Sequence, residues 1–401
     1  MNLDIVADSI LSAIKEAVGF SIKGSKIPLH EPDFQNTNAK RYLNQCIENN
    51  WVSSGGEFVN KFEQELCEFT KSKHAIALTN GTNAIRMSLF IAGVKPNHEV
   101  LMPSLSFVAT ANAVSHLGAL PHFVDIETSS YGIYSIKLKN YLDKICVKKN
   151  NETFNKYTGR RISAILPVHI FGNPADIPLI NSIAKFWNLP IIEDAAEALG
   201  SWRRKDNKFI HCGLFGEMGA ISFNGNKLIT TGGGGAIITN NSQYAKLAKH
   251  LSTTAKLQHP WEYDHDQIGW NDRMPNINAA LGLAQLENIH QTIKIKKELF
   301  KKYQNYLSEI EEIDIIQEPK NCISNFWLIT IRFNNEDPLI ASSLRKNLLE
   351  KAHKIGIFLR PSWKPLHKLK PFINSPKSDL KNIEDESNRL LNLPSSPKLL
   401  K

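Results

Sequence analysis

Ala75-Ile-Ala-Leu-Thr-Asn-Gly-Thr82 is a short apolar run that breaks into a turn, and Ala84, Ile85, Ser88, Leu89 and Ile91 follow at helical spacing until Gly93. A strand that hands over directly to an amphipathic helix is half of a βαβ unit. The pattern repeats. Val100-Leu-Met102 stops at Pro103 and leads to a helix through Val108, Ala111, Asn112 and Leu117, ending at Gly118. Phe123-Val-Asp125, Ile162-Ser-Ala-Ile-Leu166 and Pro190-Ile-Ile-Glu-Asp194 give further strands, with a helix about Ile180 to Trp187 before the last. Near-continuous apolar strands alternating with helices predict an α/β fold with a large, mostly parallel sheet covered on both faces. Gly219-Ala-Ile-Ser-Phe223 and Gly235-Ala-Ile-Ile-Thr239 are separated by too few residues for another crossover, which predicts a hairpin-like return.

Beyond about residue 275 the texture changes to a long helical stretch from Ala279 to Tyr306, a strand at Trp327-Leu-Ile-Thr-Ile331, and Pro- and Lys-rich connections. The expected organisation is a helical extension over 1–26, a large domain over 27–275 and a smaller C-terminal α+β domain over 276–401. A chain of 401 residues is long enough for two to three domains, and 42% hydrophobic with 22% charged residues is an ordinary globular composition.

The net charge, 48 basic minus 39 acidic residues or +9, raises nucleic acid and anionic small molecules as partners. The densest basic stretch, Lys294 to Lys302, carries Ile295, Leu299 and Phe300, so it reads as an amphipathic helix with a solvated lysine face rather than a nucleic-acid stripe. Five scattered cysteines without a Cys-x-x-Cys pair give neither a disulfide framework nor a metal site and suit a reduced, cytoplasmic setting. Residues Met1 to Phe20 have helical spacing (Ile5, Ile10, Leu11, Ile14) interrupted by acids, and no apolar run long enough to span a membrane occurs.

Three features carry chemistry. Lys227 stands in Ser222-Phe-Asn-Gly-Asn-Lys-Leu-Ile-Thr-Thr-Gly-Gly-Gly-Gly235, between two strands and among residues that permit close backbone approach. A lysine held there can be partly desolvated and act as a neutral nucleophile, although a surface lysine on a turn is the ordinary alternative. Asp194 ends an apolar strand, where it can cap a short helix or hold a heterocyclic cation at the carboxyl edge of the sheet. Thr79-Asn80-Gly81-Thr82 presents free amides at a helix start, which suits a phosphate or serves only as a cap. Together an amine for an imine, a carboxylate for a ring nitrogen and a phosphate cradle match the needs of pyridoxal phosphate.

These residues, with Pro103-Ser-Leu-Ser-Phe-Val-Ala-Thr110, Pro167-Val-His-Ile-Phe-Gly172, Glu193-Asp-Ala-Ala196 and Gly269-Trp-Asn-Asp-Arg-Met274, resemble the fold-type I, pyridoxal-phosphate-dependent nucleotide-sugar aminotransferases of the DegT/DnrJ family, from about Ile27 to Pro397. The resemblance implies an aspartate aminotransferase-like fold, Lys227 as the Schiff-base lysine and Asp194 as the partner of the pyridinium nitrogen. It further implies Phe107 stacked on the cofactor ring, Asn80, Gly81, Thr82 and Ser222 at the phosphate, and Glu197 near the ring hydroxyl. Asn271 resembles the residue that reaches the phosphate of a neighbouring subunit, which implies a homodimer with shared sites. Relatives that are dehydratases carry His in place of the lysine, so Lys227 favours amino transfer. Two departures stand out: Asp272 replaces a common aromatic, and the chain ends soon after Leu393-Pro-Ser-Ser396, where relatives continue into a helix whose space the N-terminal helix is expected to share.

Ile27-Pro-Leu-His-Glu-Pro32, Trp51-Val-Ser-Ser-Gly-Gly-Glu-Phe58, Asn224-Gly-Asn-Lys227 and Arg360-Pro-Ser-Trp-Lys-Pro-Leu-His367 look most like the bacillosamine and legionaminic-acid branch. That branch aminates C4 of UDP-4-keto-6-deoxy-N-acetylglucosamine, with glutamate as donor. His169, Arg360, Trp363, Lys364 and His367 are the substrate-contact candidates, Arg360 for a diphosphate because a guanidinium fork suits one; a structural role for either histidine and a plain basic loop for the others are the alternatives. Action on a dTDP- or GDP-linked sugar, or a regulatory pseudo-enzyme that keeps pyridoxal phosphate, are rival readings. A nicotinamide enzyme is disfavoured, since no Gly-x-Gly-x-x-Gly follows an early strand.

Overall fold

A computed structural model describes residues 2–19 and 26–400, so part of the expected 1–26 extension lies outside the described residues. The first element is α1 (Leu3–Val18), capped by Asn2, whose side chain accepts from the Asp4 amide, and closed by left-handed Gly19. There follow α2 (Ala39–Glu48), α3 (Glu57–Thr70), β1 (His74–Leu78), α4 (Gly81–Ile91), β2 (Glu99–Pro103), α5 (Val108–Ser115), β3 (Leu120–Val124) and α6 (Ser135–Ile145). After a small hairpin come β4 (Arg161–Ile165), α7 (Ile177–Trp187) and β5 (Ile192–Asp194), then a second hairpin, β6 (Met218–Ser222), β7 (Gly235–Thr239) and α8 (Ser242–Ser252).

Strand β2 pairs in parallel with β3 and β4, and β5 pairs in parallel with β6. Parallel bridges Ile165–Ile191 and Val168–Asp194 join β4 to β5. Strand β7 runs antiparallel to both β6 and β1, the hairpin-like return expected from the sequence. The seven main strands therefore run in the order β3-β2-β4-β5-β6-β7-β1, with β7 alone reversed among them, while the small hairpin pairs antiparallel with the start of β4. Its strands are buried almost throughout, which is why they read as continuous apolar runs.

The helix expected over 279–306 is two, α9 (Asn276–Leu286) and α10 (Ile289–Leu307). They serve different cores. Ala279, Ala280, Leu283 and Leu286 pack with Phe58, Phe62 and Leu66 of the large domain, whereas Leu299, Phe300, Tyr303 and Leu307 pack with α1 and the small domain. A boundary at 275 would thus cut α9 from its core. The small domain continues with β8 (Ile313–Ile315), β9 (Ile329–Phe333), α11 (Pro338–Lys354), β10 (Arg360–Pro361), α12 (Lys381–Glu386) and β11 (Leu390–Leu393), in the antiparallel order β8-β9-β11-β10. The strand expected at 327–331 begins two residues later because the Trp327 amide is turned to Asn325 Oδ1 and the ladder opens at Ile329–Leu393.

Helix α1 is part of the small-domain core: Ala7, Ile10, Ile14 and Ala17 are fully buried among α10 and α11 residues such as Tyr303, Leu344 and Leu348. The lysine-rich helix α10 is amphipathic as expected, with one correction. Lys296 lies on the inner face, one turn before Leu299 and Phe300, and is fully buried, while Lys294, Lys301 and Lys302 are exposed.

Truncating Ile10 to Ala should destabilise the protein by about 2–4 kcal/mol, the usual cost of an unfilled aliphatic site, read as a lower urea midpoint; an unchanged midpoint would show that α1 is not integral to this core. A pH effect follows from His211, buried between Phe69 and Trp202 with Nε2 accepting from the Gly200 amide. Burial holds its imidazole down at about 3. The unfolded imidazole takes a proton below about pH 6.5, so the unfolded state binds more protons between that value and 3 and stability rises with pH across this window. His211→Gln, which keeps an acceptor for Gly200, should lose less stability than the parent between pH 7 and pH 5; equal losses would rule His211 out as the cause.

Candidate active site

The carboxyl ends of the parallel strands collect the site, the usual place for ligands in open α/β sheets. Asp194, the last residue of β5, is buried, with Oδ2 accepting from Thr110 Oγ1 (2.7 Å) and Oδ1 from the Ala196 amide (3.1 Å). Thr110 is itself held by Ser106 Oγ at 2.6 Å. Burial pushes the Asp194 carboxyl up, against the Thr110 and Ala196 bonds and the Lys227 charge. A buried carboxylate in that state is stabilised by a cation, and a protonated ring nitrogen supplies one.

At the start of α4, Asn80 caps with its side chain, accepting from the Asn83 amide at 2.8 Å. The Gly81 and Thr82 amides, in the first helical turn, have no acceptor within the helix. A Cβ on Gly81 would lie 2.9 Å from Ser222 Cβ, and one on Gly235 would lie 2.4 Å from the Asn80 carbonyl carbon. The glycines let β7 and the α4 start close around one point, where two amides, the Ser222 hydroxyl and the positive helix end suit a phosphate.

Lys227 Nζ lies 3.4 Å from Glu197 Oε1 and 3.9 Å from the centroid of the Trp327 ring. Trp327 is fixed by its indole N–H, which donates to the Asn226 carbonyl at 2.8 Å. Glu197 is buried; its Oε2 accepts from the Phe171 amide at 2.8 Å, and burial pushes its carboxyl up against the pull of Lys227. Phe107, at the N-cap of α5, leaves half of its ring exposed and faces Trp363 at 6.5 Å, and Trp363 stacks on Phe171 at 5.2 Å. The Arg360 guanidinium sits 5.9 Å from the Trp363 ring.

The other sequence candidates fall elsewhere. His169 is fully buried with both nitrogens taken, Nε2 by Glu193 (3.0 Å) and Nδ1 by the Ala175 amide (3.0 Å), so it braces β5 rather than meeting a sugar. His367 is likewise tied, Nδ1 to Ser104 Oγ (2.7 Å) and Nε2 to Glu384 (3.2 Å), and anchors its loop to the end of β2. Lys364 and Asn271 point to solvent. Asp272 has a local purpose: it pairs with Arg86 at 2.5 Å and accepts from Asn83 at 2.8 Å, while Arg86 lies over the Trp270 ring. Thr110 and Trp327 were not singled out in the sequence; only the fold brings them to Asp194 and Lys227.

Carboxylate, amides with a hydroxyl, amine and aromatic face together fit pyridoxal phosphate: Asp194 would hold the ring nitrogen, Gly81, Thr82 and Ser222 the phosphate, and Phe107 the ring face. Comparison with known proteins bears on the family and its cofactor. The chain is 33% identical over 373 residues to a GDP-perosamine synthase of Escherichia coli O157:H7, covering 93% of this chain and 94% of that protein. It is 29% identical to a UDP-2-acetamido-2-deoxy-3-oxo-D-glucuronate aminotransferase of Pseudomonas aeruginosa, over 86% of this chain and 87% of that one. The crystal structure of a DegT DnrJ EryC1 StrS aminotransferase from Brucella abortus superimposes with a TM-score of 0.79 at 29% identity, over 90% of each chain. With residues 34–401 matching the DegT/DnrJ/EryC1/StrS aminotransferase family, the chain belongs to that family of pyridoxal-phosphate-dependent sugar aminotransferases.

Proposed function

We propose that this enzyme aminates C4 of UDP-4-keto-6-deoxy-N-acetylglucosamine, with glutamate as amino donor, for a surface polysaccharide or a nonulosonic acid of the bacillosamine and legionaminic-acid type. The observation that carries amino transfer is the Lys227 amine, held between Glu197 and the Trp327 ring. The sugar assignment is supported by the likeness of residues 27–32, 51–58, 224–227 and 360–367 to that branch. Relatives named for GDP- and UDP-linked sugars show that the family accepts more than one nucleotide, so GDP- and dTDP-keto-sugars are the alternatives the assay must include.

Bound pyridoxal phosphate supplies an electron sink through which an amino group passes from donor to keto-sugar. Lys227 Nζ is the group placed to take the proton from the donor's α-carbon and return it at the product carbon. Glu197 Oε1 accepts from that amine, and the Trp327 ring packs against it. Asp194, whose oxygens accept from Thr110 Oγ1 and the Ala196 amide, would pair with a protonated ring nitrogen and so support the sink. The stacked rings of Phe171 and Trp363 give the site an apolar side. Asn271 lies on the same segment as Ile268, an almost fully exposed apolar residue, with the largely exposed Trp261 and Tyr263 a few residues earlier in the chain. Such a surface supports a homodimer in which Asn271 reaches the neighbouring phosphate site. With no described helix long and apolar enough to cross a membrane, a cytoplasmic enzyme fits nucleotide-sugar chemistry.

Purified enzyme should show a yellow absorbance that borohydride removes, with the label mapping to Lys227, and Lys227→Ala should lower turnover by about 10³-fold or more. A well-folded protein that binds pyridoxal phosphate yet turns over none of the UDP-, GDP- or dTDP-4-keto-sugars would instead be a regulatory pseudo-enzyme. Thr110→Val removes a bond to an ionised group, worth about 1.5–3 kcal/mol, so turnover should fall roughly 10- to 100-fold with the substrate KM little changed; a change in KM alone would refute the link through Asp194.

A further inference from the structure

The residues of the phosphate cradle, Thr79, Asn80, Gly81, Thr82 and Ser222, carry no charge, so a dianion there meets only hydroxyls, amides and the positive end of α4. An acid is nevertheless bonded to the same turn. Asp272 is buried, and its Oδ1 accepts from Asn83 Nδ2 in the first turn of α4 at 2.8 Å; the same Nδ2 donates to Thr79 Oγ1 at 3.0 Å. The Asp272 carbonyl accepts from the Thr79 amide at 2.9 Å, and the Asn83 amide donates to Asn80 Oδ1 at 2.8 Å. Asp272 thus braces the strand-to-helix turn through both its side chain and its backbone. The segment is itself anchored, since the Asp272 amide donates to the Ser252 carbonyl at 3.0 Å and Arg273 bridges to Leu78.

Such bracing brings a negative charge to a place meant for a phosphate, and little solvent is at hand to screen it. Arg86 supplies the opposite charge. It stands one helical turn beyond Thr82 and meets Asp272 Oδ2 at 2.5 Å, and the two side chains are only 16% and 12% exposed. Its guanidinium lies 4.8 Å from the centre of the Trp270 ring, which Phe90 meets edge-on at 5.1 Å, so the cation is held in place by packing as well as by charge. Burial pushes the Asp272 carboxyl up, against the Arg86 charge and the Asn83 bond. The next residue follows the same rule: Arg273 is paired with Glu63.

We propose that Arg86 and Asp272 are a positioning pair for the phosphate cradle. Asp272 fixes the turn through Asn83 and Thr79, and Arg86 cancels the charge that would otherwise repel the phosphate. The inference rests on the cradle assigned to Gly81, Thr82 and Ser222 and deepens it. An aromatic at 272, common in relatives, would bring no charge and need no cation.

Equilibrium binding to the full-length protein freed of cofactor tests the pair, read by tryptophan fluorescence at pH 8 with pyridoxal phosphate and with pyridoxal, which lacks the phosphate. Arg86→Met should raise the Kd for pyridoxal phosphate by roughly 10- to 30-fold, the effect of one uncompensated charge nearby, and that for pyridoxal by less than about threefold. Arg86→Gln, which keeps a donor for Asp272 without the charge, should do the same and stands in if the methionine variant does not fold. Asp272→Asn keeps an acceptor for Asn83 and removes the charge, so alone it should stay within about threefold of the parent, and combined with Arg86→Met it should regain most of the lost affinity. A double variant as weak as Arg86→Met would make Arg86 a direct phosphate ligand and overturn the proposal. Equal losses for pyridoxal and pyridoxal phosphate would reduce the pair to general packing and overturn it too. Ser222→Ala separates the cradle from the pair and should weaken pyridoxal phosphate alone. If it changes neither ligand, the phosphate binds elsewhere and both assignments fall; if it weakens pyridoxal phosphate while Arg86→Met and Arg86→Gln bind as the parent does, only the pair is refuted.

Discussion

The Glu193 carboxylate holds the centre of this enzyme together. It is fully buried and accepts four hydrogen bonds: from His169 Nε2 at 3.0 Å and from the amides of Gly213, Phe215 and Gly216 at 2.9, 2.6 and 2.7 Å. Successive strand residues face opposite sides of a sheet, so fixing Glu193 behind the sheet aims Asp194 forward into the site. The turn that feeds β6 can crowd against Glu193 only because it is glycine-rich. A Cβ on Gly216 would lie 2.4 Å from the Ile191 carbonyl oxygen, and one on Gly219 would lie 2.3 Å from Gly213. With its donors removed, this anion would be stranded in a medium that solvates it poorly, which is why the segment has so little freedom to drift.

The reversed strand β7 has a similar hold on the front of the sheet. Gly235 opens β7 opposite Leu78 on one side and Ser222 on the other. Its register therefore decides how far the end of β1 and the end of β6 stand apart, and so whether the Ser222 hydroxyl meets the first turn of α4. A side chain at 235 would collide with the Asn80 to Gly81 peptide and force the cradle open. Of the four glycines, Gly234 and Gly235 are packed too tightly for a side chain, which is the close approach expected of this stretch, whereas Gly232 and Gly233 have room beside them; Asn278 Nδ2 donates to the Thr231 carbonyl of the turn at 2.7 Å.

Features that depend on local sequence were legible: the strand-to-helix turn at Thr79 to Thr82, the lysine between two strands, and the alternation that set the sheet. Those that depend on distant pairing were not. Thr110 and Asp194 are 84 residues apart, and nothing in either segment announces the bond. The histidines misled for the same reason. His169 and His367 carry no local sign that Glu193 and Ser104 occupy them. Lys296 sits in a run of lysines whose neighbours are solvated, and its burial follows from a helix phase that places it with Leu299 and Phe300. The break between α9 and α10 was hidden because both halves have good helical periodicity; what separates them is the core that each half fills.

Lys296 also shows how the small domain reaches the Lys227 amine. Its buried Nζ donates to the Ser395 carbonyl at 2.5 Å and to the Trp327 carbonyl at 3.2 Å, and burial holds the amine well below the usual lysine range. Two backbone carbonyls that would otherwise be buried without donors are thereby satisfied. Trp327, fixed at its carbonyl by α10, grips the Lys227 loop through the Asn226 carbonyl and lies under the amine. Two residues earlier, Asn325 Nδ2 donates to the carbonyls of Glu197 and Leu199 at 2.8 and 2.9 Å. The three-residue stretch 325–327 thus touches both Lys227 and the loop that carries Glu197, and it does so from the segment that feeds β9. Lys227 and Glu197 arise on separate loops of the large domain, yet their spacing is set by a strap whose far end is bolted to the small-domain core, so any displacement of α10 is felt at Nζ.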